Sequence, residues 1–298
     1  MKNNHENYID QFKKNLNKYT DYPRKISIET HVNCNAKCFF CPYPTSTRQG
    51  ETLDQNIIDK IFKDLKDIPL EHKYELIFCR INEPFLDKRV IEYVKRAEQE
   101  LKNARQMFWS NGTMINKHVL DTLKDINNSI LYISFNSSDE EQHKELMGFG
   151  LKKVLKNLDY AHTLKKNNNF KPQVRLTIIN NDLKTQTQEF VSERYPLFSS
   201  NVREYFEWRG ENFKNQSKFL KNEINDAEDL PCNQYFDLHL LANNMQTFCC
   251  IDENGMLGEK NDIRKNHILD LYNLKKEFRI NSTKRKNIEK CKNCNFYG

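Results

Sequence analysis

With 298 residues the chain can bury a sizeable core, and it falls between one large α/β domain and two ordinary ones. Its 47 Lys and Arg against 41 Asp and Glu give a formal charge of +6, but bases and acids are interleaved, which argues for a solvated surface and against nucleic-acid binding. No span approaches the roughly 18 apolar residues of a membrane helix, and residues 1–23 lack the apolar centre of a signal peptide. The expectation is a cytoplasmic protein with no membrane partner, whose nine cysteines stay reduced and serve metal ligation rather than disulfides.

In chain order, residues 1–24 read as an N-terminal helical extension. Short apolar runs at 26–32, 74–79, 106–109, 130–136, 174–180 and 202–208 then alternate with amphipathic helical patterns at 54–68, 88–102, 116–126, 150–165 and 185–193. That alternation predicts an α/β domain over 25–210, a partial (βα)6 TIM-like barrel with both sheet faces buried. Function is expected at the C-terminal strand ends. Residues 211–228 are polar and read as a linker or irregular crossover. Two short runs, 238–242 and 247–251, resemble a hairpin joined through Asn243 and Asn244, and a last helix is expected over 268–278. Residues 211–298 are therefore expected to form a separate small domain.

The loop after the first strand carries Cys34, Cys38 and Cys41. Three thiolates on one short loop can hold three irons of a [4Fe–4S] cube and leave the fourth iron open to a chelating cofactor. A zinc ion completed by a distant fourth ligand is the competing reading.

The C-x3-C-x2-C spacing, with an aromatic residue just before the last cysteine, resembles the radical S-adenosylmethionine (SAM) family. The resemblance implies an open iron that chelates the methionine moiety of SAM, and a 5′-deoxyadenosyl radical that abstracts hydrogen from substrate. It places the Phe40 backbone against the adenine. The second strand ends in Arg80, Ile81, Asn82, Glu83 and Pro84 where the family usually has Gly-Gly-Glu-Pro, so Glu83 keeps the acid that holds the SAM amino group while the close backbone approach of the glycines is lost. A helix N-terminal charge is the alternative role for Glu83. Ser110, Asn111 and Gly112 match a Thr-Asn-Gly of relatives. Ser134 and Asn136 share one strand face and would meet the SAM carboxylate and ribose. Arg175, inside the fifth strand, would bind a carboxylate of SAM or substrate. For Ser134, Asn136 and Arg175, strand-end capping or an edge position competes equally.

Five cysteines follow the barrel region: Cys232, Cys249, Cys250, Cys291 and Cys294. Their layout resembles the twitch and SPASM domains of radical SAM enzymes, which close around an auxiliary [4Fe–4S] cluster, and five thiols fit the shorter twitch type. The expected cluster ligands are Cys232, Cys250, Cys291 and Cys294, with Cys249 left over either as a small buried residue or as a hydrogen donor facing the substrate. A zinc ribbon on the same four cysteines is the competing reading.

The implied enzyme uses SAM and two [4Fe–4S] clusters, is fed by a one-electron reductase such as flavodoxin or ferredoxin, and acts on a small polar molecule of the sugar, aminocyclitol or nucleoside type. Epimerisation and dehydrogenation are the two simple outcomes. Tyr205, Trp208 and Arg209 are candidate substrate contacts, with a core role for Trp208 as the alternative. The short segment before the first strand argues against a peptide-recognition domain, which leaves a maturase of ribosomal peptides as the second reading. An RNA-modifying relative and a zinc-stabilised interaction protein are more distant ones.

Overall fold

The apolar runs assemble into one eight-stranded sheet in the computed structural model, which describes residues 2–203, 229–250, 252, 261–291 and 294. The strands are β1 (Lys25–Ile28), β2 (Tyr74–Ile77), β3 (Ala104–Ser110), β4 (Ile130–Ser134), β5 (Gln173–Ile179), β6 (Ser199–Arg203), β7 (Asp237–Leu240) and β8 (Gln246–Thr247). Their order is β6-β5-β4-β3-β2-β1-β7-β8, and every pairing is parallel except β7 with β8. The sheet does not return from β6 to β8 among the described residues, as in a partial barrel.

Helices α2 (Gln55–Leu65), α3 (Val90–Glu100), α4 (Lys117–Leu123), α5 (Glu140–Met147), α6 (Lys152–Lys166) and α7 (Lys184–Arg194) lie between the strands. Ile57, Ile58, Ile61, Phe62 and Leu65 recur at helical spacing on α2 and join Ile26, Leu76 and Leu131 of the sheet in the main core. Each such side chain contributes roughly 1.5–3 kcal/mol on burial. Local signals set the ends: Asn116 accepts the Val119 N–H at the start of α4, and Asp139 accepts the Gln142 N–H at the start of α5.

Several expectations are corrected. The first strand of the expected hairpin has a second partner, because β7 continues the sheet beside β1 in parallel register, Ser27 opposite His239. The first strand stops at Ile28 rather than 32, where the buried Glu29 turns to accept Arg48 Nη2 at 2.5 Å and the Ala242 N–H at 3.1 Å. The last expected helix is two, α8 (Ile268–Asn273) and α9 (Lys276–Ile280), broken at Lys275, whose ammonium is drawn inward. Helix α5 was not expected. The N-terminal extension forms α1 (Lys2–Tyr19), and its Phe12 is buried with Cys232, Tyr235, Phe236, Phe248 and Cys291 in a second apolar cluster. The linker and the domain boundary at 210/211 lie outside the described residues.

Candidate active site

At the C-terminal ends of the parallel strands opens a cavity of about 430 Å³. Strand alternation builds its wall: Lys25 and Ser27, Ile77 and Cys79, Thr177 and Ile179, and Asp237 and His239 face it in steps of two. Cys34, Cys38 and Cys41 form one side with Phe40, and Glu83, Ser110, Asn111, Ser134 and Asn136 form the next.

Glu83 is only 1% exposed, and both of its oxygens are engaged: Oε1 accepts Ser110 Oγ–H at 2.8 Å and Oε2 accepts the Asn111 N–H at 2.7 Å. Burial nonetheless pushes its carboxyl up to about 7, with those two hydrogen bonds pulling the other way. Asn111 carries the tie onward. Its Nδ2 donates to Asn35 Oδ1 at 2.9 Å, while Asn35 Nδ2 donates to Thr113 Oγ1 at 2.8 Å, so the turn after β3 braces the cysteine loop. Gly112 sits at φ +84°, and a Cβ there would stand 2.8 Å from Val154 Cγ1, which reserves the turn for glycine.

The C-terminus of α5 backs the same loop. Lys37 N donates to Met147 O at 3.1 Å and Phe39 N to Leu146 O at 3.3 Å, and Cys41 N closes a turn onto Cys38 O at 3.1 Å. Asn136, at φ +56°, has its amide engaged in structure, since Oδ1 accepts the Ile179 N–H at 3.0 Å and Nδ2 lies 2.9 Å from Met147 Sδ.

The three loop thiols fit a cationic cluster. Burial pushes Cys34 up to about 11, and burial followed by the negative charge of Cys41 and Cys34 pushes Cys38 well above the ordinary thiol range. Iron supplies the positive charge that lets such thiols ionise together. Among the described residues no three His, Cys, Asp or Glu side chains converge closely enough to hold a single metal ion. A cube would take each of the three loop thiolates on a separate iron and leave its fourth iron open.

The C-terminal segment supplies the remaining wall, and here Cys249 and Cys250 part. Cys249 packs against the apolar cluster containing Cys232 and Cys291, while Cys250 lines the cavity, its thiol pushed up to about 12 by burial. Strand β8 ends at Thr247, earlier than the expected 251, so Cys249 and Cys250 lie in the turn that follows it. Gln234 Oε1 takes both His239 Nε2 at 2.9 Å and the Cys250 N–H at 3.4 Å. The ring hydrogen of His239 therefore sits on Nε2, Nδ1 is left as an acceptor with no partner among the described residues, and burial holds the imidazole neutral. Arg80, its side chain 2% exposed, stands 3.8 Å from Glu29 and donates to Asp252 O.

Not every expected residue comes to this cavity. Arg175 does not line it; it lies one inward step short of Thr177, over the Tyr132 ring at 5.5 Å, with Nε 3.4 Å from Ser199 Oγ. Tyr205, Trp208 and Arg209 lie outside the described residues. Conversely, Trp109 stacks on Tyr132 at 4.1 Å and 6° with Arg203 over it at 4.4 Å, giving the cavity an aromatic and cationic surface not singled out from the sequence. The signal was there: Trp109 directly precedes Ser110 in a strand already identified. Arg80 and His239 carried a fainter one, a charged or imidazole group inside an apolar run.

Residues 28–180 match the family model described as the radical SAM superfamily. The uncharacterized protein MJ0804 of Methanocaldococcus jannaschii is 28% identical over 145 residues, 46% of this chain and 45% of that one. The chain thus spans about half the length of the curated relatives it matches. Among solved structures, Streptococcus suis SuiB bound to precursor peptide SuiA superposes with a TM-score of 0.61 at 13% identity, covering 91% of this chain and 68% of that one. BtrN in complex with AdoMet and 2-DOIA gives 0.52 at 16% identity, covering 92% and 93%. At such identities the likeness is one of fold.

Proposed function

The chain belongs to the radical SAM superfamily, and on that premise we propose that it cleaves SAM reductively and abstracts hydrogen from a small polar substrate of the sugar, aminocyclitol or nucleoside type, leading to epimerisation or dehydrogenation. The observation that carries this reading is the single cavity of about 430 Å³ shared by the three-thiol loop, the Glu83–Ser110–Asn111 group and the wall from the C-terminal segment. Its volume lies in the lower part of the range for small-molecule sites. The bound cluster supplies one electron and SAM the hydrogen-abstracting radical. Cys34, Cys38 and Cys41 hold the cluster, Glu83 holds the SAM amino group, and the Phe40 backbone meets the adenine. Cys232, Cys249, Cys291 and Cys294 hold an auxiliary [4Fe–4S] cluster, and an external flavodoxin or ferredoxin delivers the electron.

Cys250, which lines the cavity, would return a hydrogen atom to the opposite face of the substrate. The likeness to SuiB, solved with a precursor peptide, supports modification of a ribosomal peptide as the second reading. Anaerobically reconstituted protein is expected to hold about eight irons, two cubes' worth, and to lose about half on replacement of Cys34, Cys38 and Cys41 by Ala. Strong one-electron reduction with SAM should release 5′-deoxyadenosine. Stoichiometric zinc without iron, or no SAM cleavage in iron-loaded protein, would overturn the proposal. In deuterated water Cys250→Ala should keep both clusters and SAM cleavage yet lose the solvent deuterium that an epimerised product carries, whereas a product two hydrogens lighter marks dehydrogenation.

A further inference from the structure

Three cations are buried beside the C-terminal thiols: Lys275, Arg279 and Arg285 are each 0% exposed. Burying an ammonium or guanidinium costs several kcal/mol unless an anion answers it. Arg279 stacks on Tyr272 at 3.7 Å and donates to the Tyr235 and Tyr272 carbonyls. Lys275 donates to Gln234 O at 2.8 Å, to Phe248 O at 3.0 Å and to Asp237 O. These are carbonyls, not carboxylates. The Asp237 carboxylate is held by Arg24 through two bonds of 2.8 Å, and among the described residues neither Lys275 nor Arg279 makes an ion pair.

The partners of Lys275 tie it to the C-terminal thiols. Gln234 lies two residues after Cys232, and Phe248 immediately precedes Cys249, so one ammonium clamps the two segments that carry these thiols. Asp237 is the largest charge acting on Lys275, and Cys249 and Cys232 add theirs, while Cys232 and Cys294 act on Arg285. Cys250 lines the cavity of the candidate active site, and its N–H is held by Gln234 Oε1 at 3.4 Å.

We propose that Lys275 is a positioning residue of the C-terminal thiol site: it fixes Cys232 and Cys249 side by side, answers their thiolate charge, and raises the reduction potential of the cluster they hold. This rests on the reading that the site holds an auxiliary [4Fe–4S] cluster. A reduced cluster carries one more negative charge than an oxidised one, and a buried cation beside it stabilises the reduced form. Lys275 is thereby distinct from the ligands, and its effect is read in a potential.

The test uses the full chain with Cys34, Cys38 and Cys41 replaced by Ala, reconstituted with iron and sulfide, so that only C-terminal iron is observed. Lys275→Met keeps the length of the side chain without its charge, and Lys275→Arg keeps the charge. The parent should hold about four irons. Lys275→Met should shift its midpoint, followed by paramagnetic resonance during redox titration, to lower potential by at least a tenfold change in the reduced fraction, about 59 mV for one electron. Lys275→Arg should leave the midpoint near that of the parent. Iron lost in Lys275→Met but kept in Lys275→Arg also supports the proposal. An unmoved midpoint in Lys275→Met, or iron lost from both variants, overturns it. Zinc or no metal in the parent would instead overturn the auxiliary-cluster reading, and the inference with it.

Discussion

Glu83 keeps its acid although the two glycines expected before it are Ile81 and Asn82. Ser110 and Asn111 hold it in a fully buried position that costs ionisation, so its carboxyl titrates near 7 instead of 4.5. A carboxylate that must ionise to meet the SAM amino group makes binding follow its titration. SAM affinity of the cluster-loaded protein should fall as the pH drops below about 7, approaching tenfold per unit, in equilibrium dialysis between pH 6 and 8. Glu83→Gln should bind SAM weakly without that slope while keeping its iron; an unchanged slope would place the titration elsewhere. The same shift has a stability consequence. A carboxyl whose folded value is raised contributes fully below 4.5 and loses that contribution as the pH climbs through about 7. Relative to wild type, the unfolding free energy of the metal-free Glu83→Gln protein should therefore be more favourable at pH 8 than at pH 5, by up to about 3 kcal/mol in denaturant titrations.

Helix α5 and the strand-end turns decide whether the cysteine loop is held in register. Gly148 ends α5 at φ +77°, and a Cβ there would stand 2.8 Å from Lys37 Cβ and 3.1 Å from Lys37 N, inside the loop itself. Gly148→Ala combines left-handed strain of about 1 kcal/mol with a push on backbone that lies between Cys34 and Cys38. It should lose iron from the loop site and retain it at the C-terminal site, measured as iron per chain with and without the loop-cysteine substitutions. Equal loss from both sites would mean that the strain spreads through the fold. Gly148 was legible as a possible cap only once α5 was known, and α5 escaped notice because its sequence buries just three residues, His143, Leu146 and Met147. The βα alternation over 25–203 was legible because hydrophobic period switches cleanly between two and 3.6. The parallel seat of β7 was not, since the short run 237–240 followed by Asn243 and Asn244 carries the local signals of a hairpin and none of its distant partner β1. The same limit applied to Cys249 and Cys250: they lie past the end of β8, where strand alternation no longer tells which way a side chain points.

Across the whole molecule, the first helix and the last segment meet on residues 231–236. Tyr8 Oη donates to Pro231 O at 3.1 Å and accepts the Asn233 N–H at 3.2 Å and Arg285 Nη2 at 2.9 Å, while Asn15 Nδ2 donates to Asn233 Oδ1 at 3.0 Å. Phe12, 1% exposed, lies 4.9 Å from the Phe236 ring and 6.4 Å from Tyr235. Helix α1 is thus packed with the C-terminal thiol site although more than 200 residues separate them, and the loop-cysteine site draws none of these contacts. Truncating a buried Phe to Ala costs about 3–5 kcal/mol. If that cost falls on local opening around Cys232, release of C-terminal iron to a chelator should accelerate by roughly a hundredfold or more, since 1.4 kcal/mol is a factor of ten. Phe12→Ala should therefore show two well-separated phases of iron release, with the slow phase belonging to Cys34, Cys38 and Cys41 and disappearing when these are replaced by Ala. A single accelerated phase for all iron would show that α1 supports the entire fold and not the C-terminal site in particular.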